Sequence, residues 1–146
     1  MAKGGFFMMK KTLEAIAMQL KREFGEHYEI WIEEQEQDLK EPCFFVQAIE
    51  THQVARLTGN YQRSQSFDLI YFPETKATFE LTEVAERLYF CMEYIELDGI
   101  RVRGRNLHTE IVEGVLHFMV EYEICLKEGK EKEDKMEYLK QKGRLK

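Results

Sequence analysis

VLHFMVEYEICL, residues 115–126, is the stretch whose reading decides the fold. Leu116, Phe118, Val120, Tyr122, Ile124 and Leu126 recur at every second position, which places them on one face of a β-strand. The opposite face carries His117, Met119, Glu121 and Glu123. That face is expected to be partly wet or to meet a partner. A strand with one apolar face must lay it against another layer, so the rest of the chain is read for what supplies that layer.

Working upstream, Glu113-Gly114 reads as a turn, preceded by two short strand-like pieces, Ile100 to Arg105 and Leu107 to Val112. Within the first piece, RVRGR sets Arg101, Arg103 and Arg105 on alternate positions. One reading is a solvated basic stripe along a hairpin. The other is an exposed edge strand built to meet an acidic surface, since arginine is enriched at interfaces and forks onto carboxylates. Because the chain is acidic elsewhere, the acidic partner could be a second copy.

The covering layer is supplied by two amphipathic segments. From Lys11 to Phe24, the residues Leu13, Ile16, Ala17, Leu20 and Phe24 follow helical spacing, and Gly25 stands where a left-handed cap would end the helix. A second helix is predicted from about Phe79 to Ile95, with Leu81, Val84, Leu88, Met92 and Ile95 inward and Asp98-Gly99 as the following turn.

Between the helices, Tyr28 to Ile32, PCFFVQAIE (42–50) and SFDLIYFP (66–73) read as three strands. Apolar residues on both faces of the second, with Phe44, Val46 and Ala48 against Cys43, Phe45 and Ile49, suggest a central strand covered on both sides. The polar THQVARLTGNYQRSQ (51–65) reads as a long loop, of the kind that often binds something. After Lys130 only Met136, Tyr138 and Leu139 offer a stripe, enough for a marginal helix. The predicted class is α+β: a mainly antiparallel sheet with two helices on one side and this marginal C-terminal helix. Residues 1–8 are set aside as an N-terminal extension, 9–126 form the domain, and 127–146 a charged C-terminal segment.

Composition narrows the function. With 21 basic and 27 acidic side chains the formal charge is −6. Residues 127–146 hold eight basic and five acidic groups, net +3, which leaves −9 for residues 1–126. Such a balance argues against general nucleic-acid binding, whose affinity comes largely from Lys and Arg displacing counterions, and no specific nucleic-acid partner is expected. No apolar run approaches the ~20 residues of a membrane span, and MAKGGFFMMKK is too short in its apolar part for a signal peptide. Cys43, Cys91 and Cys125, each inside an apolar stretch, are expected as buried thiols in a reducing compartment, the cytoplasm.

Enzymatic constellations are weak. His27, His52, His108 and His117 form no HxH or HExxH group. His108 and His117 could neighbour each other across the Glu113-Gly114 turn with Glu110 or Glu121 completing a metal site, and Asp68 with Glu80 or Glu83 could hold Mg²⁺ in a hydrolase. Neither arrangement has a supporting motif. No phosphate-binding glycine loop or cofactor signature is present.

Taken together, LEAIAMQLKREFG, KEPCFFVQAIE, GNYQRSQSFDLIYFP, VAERLYFCMEYIELDG and VRGRNLHTEIVEGVLHFMVEYEI resemble a family of small phage tail terminator-like proteins. These come from prophages and phage-tail-like particles of Gram-positive bacteria, and the likeness spans about residues 9–126. The resemblance implies a structural protein and no enzyme. It would be a ring, usually of six copies, that caps the tail tube and joins it to the head connector, made in the host cytoplasm and then carried in the virion tail. A neighbouring neck component or a tail-assembly chaperone would share the fold. The implied partners are further copies, the tube protein and connector proteins, with no membrane and no cofactor. On that reading Arg101, Arg103 and Arg105, with Arg56, Asn60 and Arg63 of the polar loop, are the expected contact residues.

Overall fold

The computed structural model describes residues 3–33, 40–127, 130–132 and 136–138. In chain order they form α1 (Lys3–Phe24), β1 (Glu29–Ile32), β2 (Cys43–Ala55), β3 (Asn60–Phe72), α2 (Thr78–Cys91), β4 (Tyr94–Leu97), β5 (Ile100–Val112), β6 (Val115–Lys127), β7 (Lys130–Lys132) and β8 (Met136–Tyr138). Strands β1 to β6 make one sheet in the order β1-β2-β3-β6-β5-β4, antiparallel except for β1 against β2. The class is α+β, as the sequence predicts.

Residues 116–122 of β6 behave as their period demands. Leu116, Phe118, Val120 and Tyr122 are buried, and the register sets Tyr71 opposite Leu116, Leu69 opposite Phe118 and Phe67 opposite Val120. Phe44 and Val46 of β2 continue the same rows. Onto this face pack Leu13, Ile16, Leu20 and Phe24 of α1 and Leu81, Val84 and Leu88 of α2 in one cluster. Each of the larger apolar side chains contributes about 1.5–3 kcal/mol by burial. Both helices therefore lie on one side, and the other face of the sheet is open over β6, where His117, Met119, Glu121 and Glu123 are half-buried.

Several elements depart from the sequence reading. The predicted loop 51–65 is instead the upper half of a β2–β3 hairpin, closed by a one-turn 3₁₀ segment at Leu57–Gly59. All of residues 49–58 are exposed, so the ribbon runs past the helices, and neither face needs apolar residues. Strand β2 is second from one edge, and the central pair is β3 with β6; even so, Cys43, Phe44, Phe45 and Val46 are all buried. Helix α2 ends at Cys91, and Ile95 is buried from strand β4, not from a helix. The pieces of β5 form one thirteen-residue strand with a bulge between Arg105 and His108.

At the termini, α1 begins at Lys3, within the segment set aside as an extension. Where a C-terminal helix is predicted, the described residues of β7 and β8 pair as short antiparallel strands. Of the three thiols, Cys43 and Cys91 are buried but Cys125 is exposed, because its neighbours Ile124 and Leu126 belong to the inward-facing set.

Candidate functional site

The six residues expected at contacts fall into separate groups. Strand β5 changes partner within RVRGR: Ile100 to Arg103 pair with β4, whereas Gly104 onwards pairs with β6. Gly104 is the pivot. It donates its amide to the Glu93 carbonyl at 2.7 Å. A Cβ at this position would stand 2.8 Å from the Met92 carbonyl oxygen and 2.9 Å from Val120. The same Met92 carbonyl accepts the Tyr122 hydroxyl at 2.6 Å, so the end of α2 is tied to both β5 and β6.

This pivot sets where the arginines go. Arg101 stacks over the Tyr94 ring at 4.1 Å, and Arg103 lies 5.9 Å from the same ring with Glu93 at 3.6 Å. Arg105, past the pivot, is on the open face and donates to Glu123, which also accepts from Gln62. Asn106 donates to Glu121 at 2.6 Å. The basic stripe is thus partly neutralised from within: among the described residues Arg103 and Arg105 have carboxylate partners and Arg101 has none.

The other group sits on the β2–β3 arm. Arg56 and Arg63 donate to the side-chain amides of Gln62 and Gln53. These acceptors are neutral, so neither charge has a carboxylate partner among the described residues, and partial burial lowers the pKa of Arg63. The turn between them is tight: Arg56 donates its amide to the Asn60 carbonyl at 2.7 Å, and Thr58 and Gly59 take left-handed φ of 71° and 77°. The Asn60 side chain donates to Thr58 at 3.1 Å. Leu57 is thereby held 89% exposed at the tip.

The registers locate these groups along the sheet. Asn60 is opposite Lys127 and Gly104 opposite Tyr122, so the arm and the start of β5 share one end. At the other end, the β5–β6 turn and the loop after β3 border a groove of about 500 Å³, which sequence reading did not reveal because its walls come from segments far apart in the chain.

The hypothetical metal residues do not assemble. His108 is opposite Met119, while His117 is opposite Glu110. His108 bonds the Asn106 carbonyl at 2.9 Å, and His117 bonds Asp68 at 2.9 Å. Asp68 shares the open face with His117, whereas Glu80 reaches Tyr71 on the helix side, so the sheet separates the two carboxylates. Glu83 is exposed on α2. Among the described residues no three His, Cys, Asp or Glu side chains converge.

What remains is a sheet whose outer ladder edges meet no further strand among the described residues, and a surface of charged, partly paired side chains. Comparison with known families supplies the class: residues 12–136 match the phage tail terminator protein family, and the chain belongs to it. It is a structural phage tail protein, and the family implies contact with other tail and head–tail proteins. No curated protein matches the chain. Among the described residues no helix is long and apolar enough to cross a membrane.

Proposed function

We propose that this protein ends the tail tube as a ring of six copies and offers its far surface to the head connector. Membership of the terminator family carries the reading, and the open sheet edges support it. Beyond β1, the outer edge of β2 pairs with no strand among the described residues, and β5 from Arg105 to Val112 has β6 on one side only. Edges of this kind accept neighbouring chains. A terminator must match the tube on one face without reproducing the tube's growing face on the other.

Arg56, Asn60 and Arg63 on the arm, and Arg101 and Arg103 beside β4, are the contact residues of this scheme; Arg105 serves through its hold on Glu123. Electron microscopy of tail particles made with and without the gene tests it. Over-long or headless tubes in the absence of the protein are expected. Tails of normal length that lack another part would move the protein elsewhere in the neck, and unaffected particles would refute the role.

A further inference from the structure

We infer that the tip of the β2–β3 arm docks into the groove at the opposite end of the sheet in a neighbouring copy. This deepens the ring reading above and rests on it.

The two surfaces suit each other in size, polarity and charge. The tip offers Leu57, the most exposed of the large apolar side chains described, with Arg56 next to it and Arg63 further down the arm opposite Gln53. Its tight turn, held by the Arg56–Asn60 backbone bond, presents that knob already ordered, which lowers the entropic cost of docking. The groove has room for a leucine side chain and part of its turn. Ile111 and Val115 contribute apolar wall, and Ile111 is 48% exposed with nothing over it among the described residues. Its rim carries Glu41, Glu74 and Glu113 against a single Lys76, so an incoming basic tip meets net negative charge. Neither Arg56 nor Arg63 has a carboxylate partner in its own chain among the described residues.

Position rules out the chain's own tip as the occupant, and the charge match favours the tip of another copy. Knob and groove lie at opposite ends of β3, whose thirteen residues span about 43 Å at the ~3.3 Å rise of a strand. A rigid tip cannot turn back into its own groove over that distance. A contact between two different surfaces of the same chain repeats from copy to copy, and it closes into a ring when the rotation allows.

Disulfide trapping reads the contact directly. In a Cys125→Ser background, copies carrying Leu57→Cys are mixed with copies carrying Ile111→Cys and oxidised in the presence of tail tubes. A linked dimer is expected from the mixture and from neither variant alone. Leu57 is exposed and bears no structural load, so a folding failure is not expected, and an unchanged thermal transition checks this. As a second readout, Arg56→Glu should reduce ring formation at least tenfold, and Glu113→Arg in the same chain should restore it. Rings that form with no 57–111 link overturn this inference while leaving the capping role intact. Linkage of Leu57→Cys to tube subunits instead also overturns it. If the protein associates neither in solution nor on tubes, both readings fall.

Discussion

Arg105 on β5 and Glu123 on β6 hold each other across the open face of the sheet, so the last arginine of RVRGR stabilises its own chain. Arg105→Glu is therefore expected to lower stability by about 1 kcal/mol, through loss of a half-exposed pair and repulsion by Glu121 and Glu123. In a chain of this size that is a melting shift of about 2–4 °C. Arg105→Glu combined with Glu123→Arg should recover most of it. Arg101→Glu, by contrast, forfeits only the stack on Tyr94, about 0.5–1 kcal/mol. An assembly defect in Arg101→Glu larger than its small melting shift explains reports a contact, whereas for Arg105→Glu the defect should follow the loss of stability and be recovered with Glu123→Arg.

Gly104 makes a sharper prediction. Gly104→Ala drives a methyl into the Met92 carbonyl and the Val120 side chain, and a backbone carbonyl cannot step aside as a flexible side chain would. Overpacking of this kind costs about 1–3 kcal/mol. The Tyr122–Met92 hydrogen bond shares the strained carbonyl, so denaturant unfolding of Gly104→Ala combined with Tyr122→Phe should show the two losses to be less than additive. A wild-type midpoint for Gly104→Ala would mean that the β5 pivot is looser than described.

How much of this was legible beforehand depended on whether a helix lay over the strand. Leu116 to Tyr122 and Phe67 to Tyr71 alternate because one face is buried, and their strands could be read directly. Within the predicted loop 51–65, residues 51–58 carry no such alternation because both faces of the arm are wet, and polar composition alone reads as a loop. Strand β4 was hidden for the opposite reason. Leu88, Met92 and Ile95 keep helical spacing across the break, and all three are buried whichever element carries them. The arginines were visible but their partners were not, since Glu93 and Glu123 become neighbours only through the register. The groove at the far end needs Glu41, residues 72–81 and residues 111–115 together, and no local pattern marks it.

The cysteines separate by exposure. Burial pushes the Cys43 thiol up to about 11, with Glu41 and Glu29 adding to it, and burial likewise takes Cys91 up to about 12. Thiolate is the reactive form, so both stay inert at pH 8, while exposed Cys125 is open to reagent. Titration with a chromogenic disulfide is expected to label one thiol per folded chain and all three once the chain is unfolded. Fast reaction of two or more in the folded protein would contradict the packing around β2 or α2.

Glu80 ties stability to acid. Burial raises its pKa, but hydrogen bonds from the Tyr71 hydroxyl at 2.5 Å, from the Glu74 and Thr75 amides at 2.8 Å and from the Thr75 hydroxyl outweigh it and bring the value down to about 2. Since Ala77 has no side-chain cap to give α2, this carboxylate orders the loop that enters the helix. A carboxyl whose folded pKa lies below its ordinary 4.5 stabilises the protein fully above that pH, and the contribution is lost as pH falls from about 4.5 to about 2. Allowing for solvent screening, it amounts to about 1–2 kcal/mol. Glu80→Gln should therefore melt lower than wild type at pH 7 yet approach it at pH 2, and Tyr71→Phe should move the acid loss to higher pH. Melting curves at pH 7, 4 and 2 decide it: a gap between Glu80→Gln and wild type that is constant across the three would assign the acid sensitivity to other carboxylates.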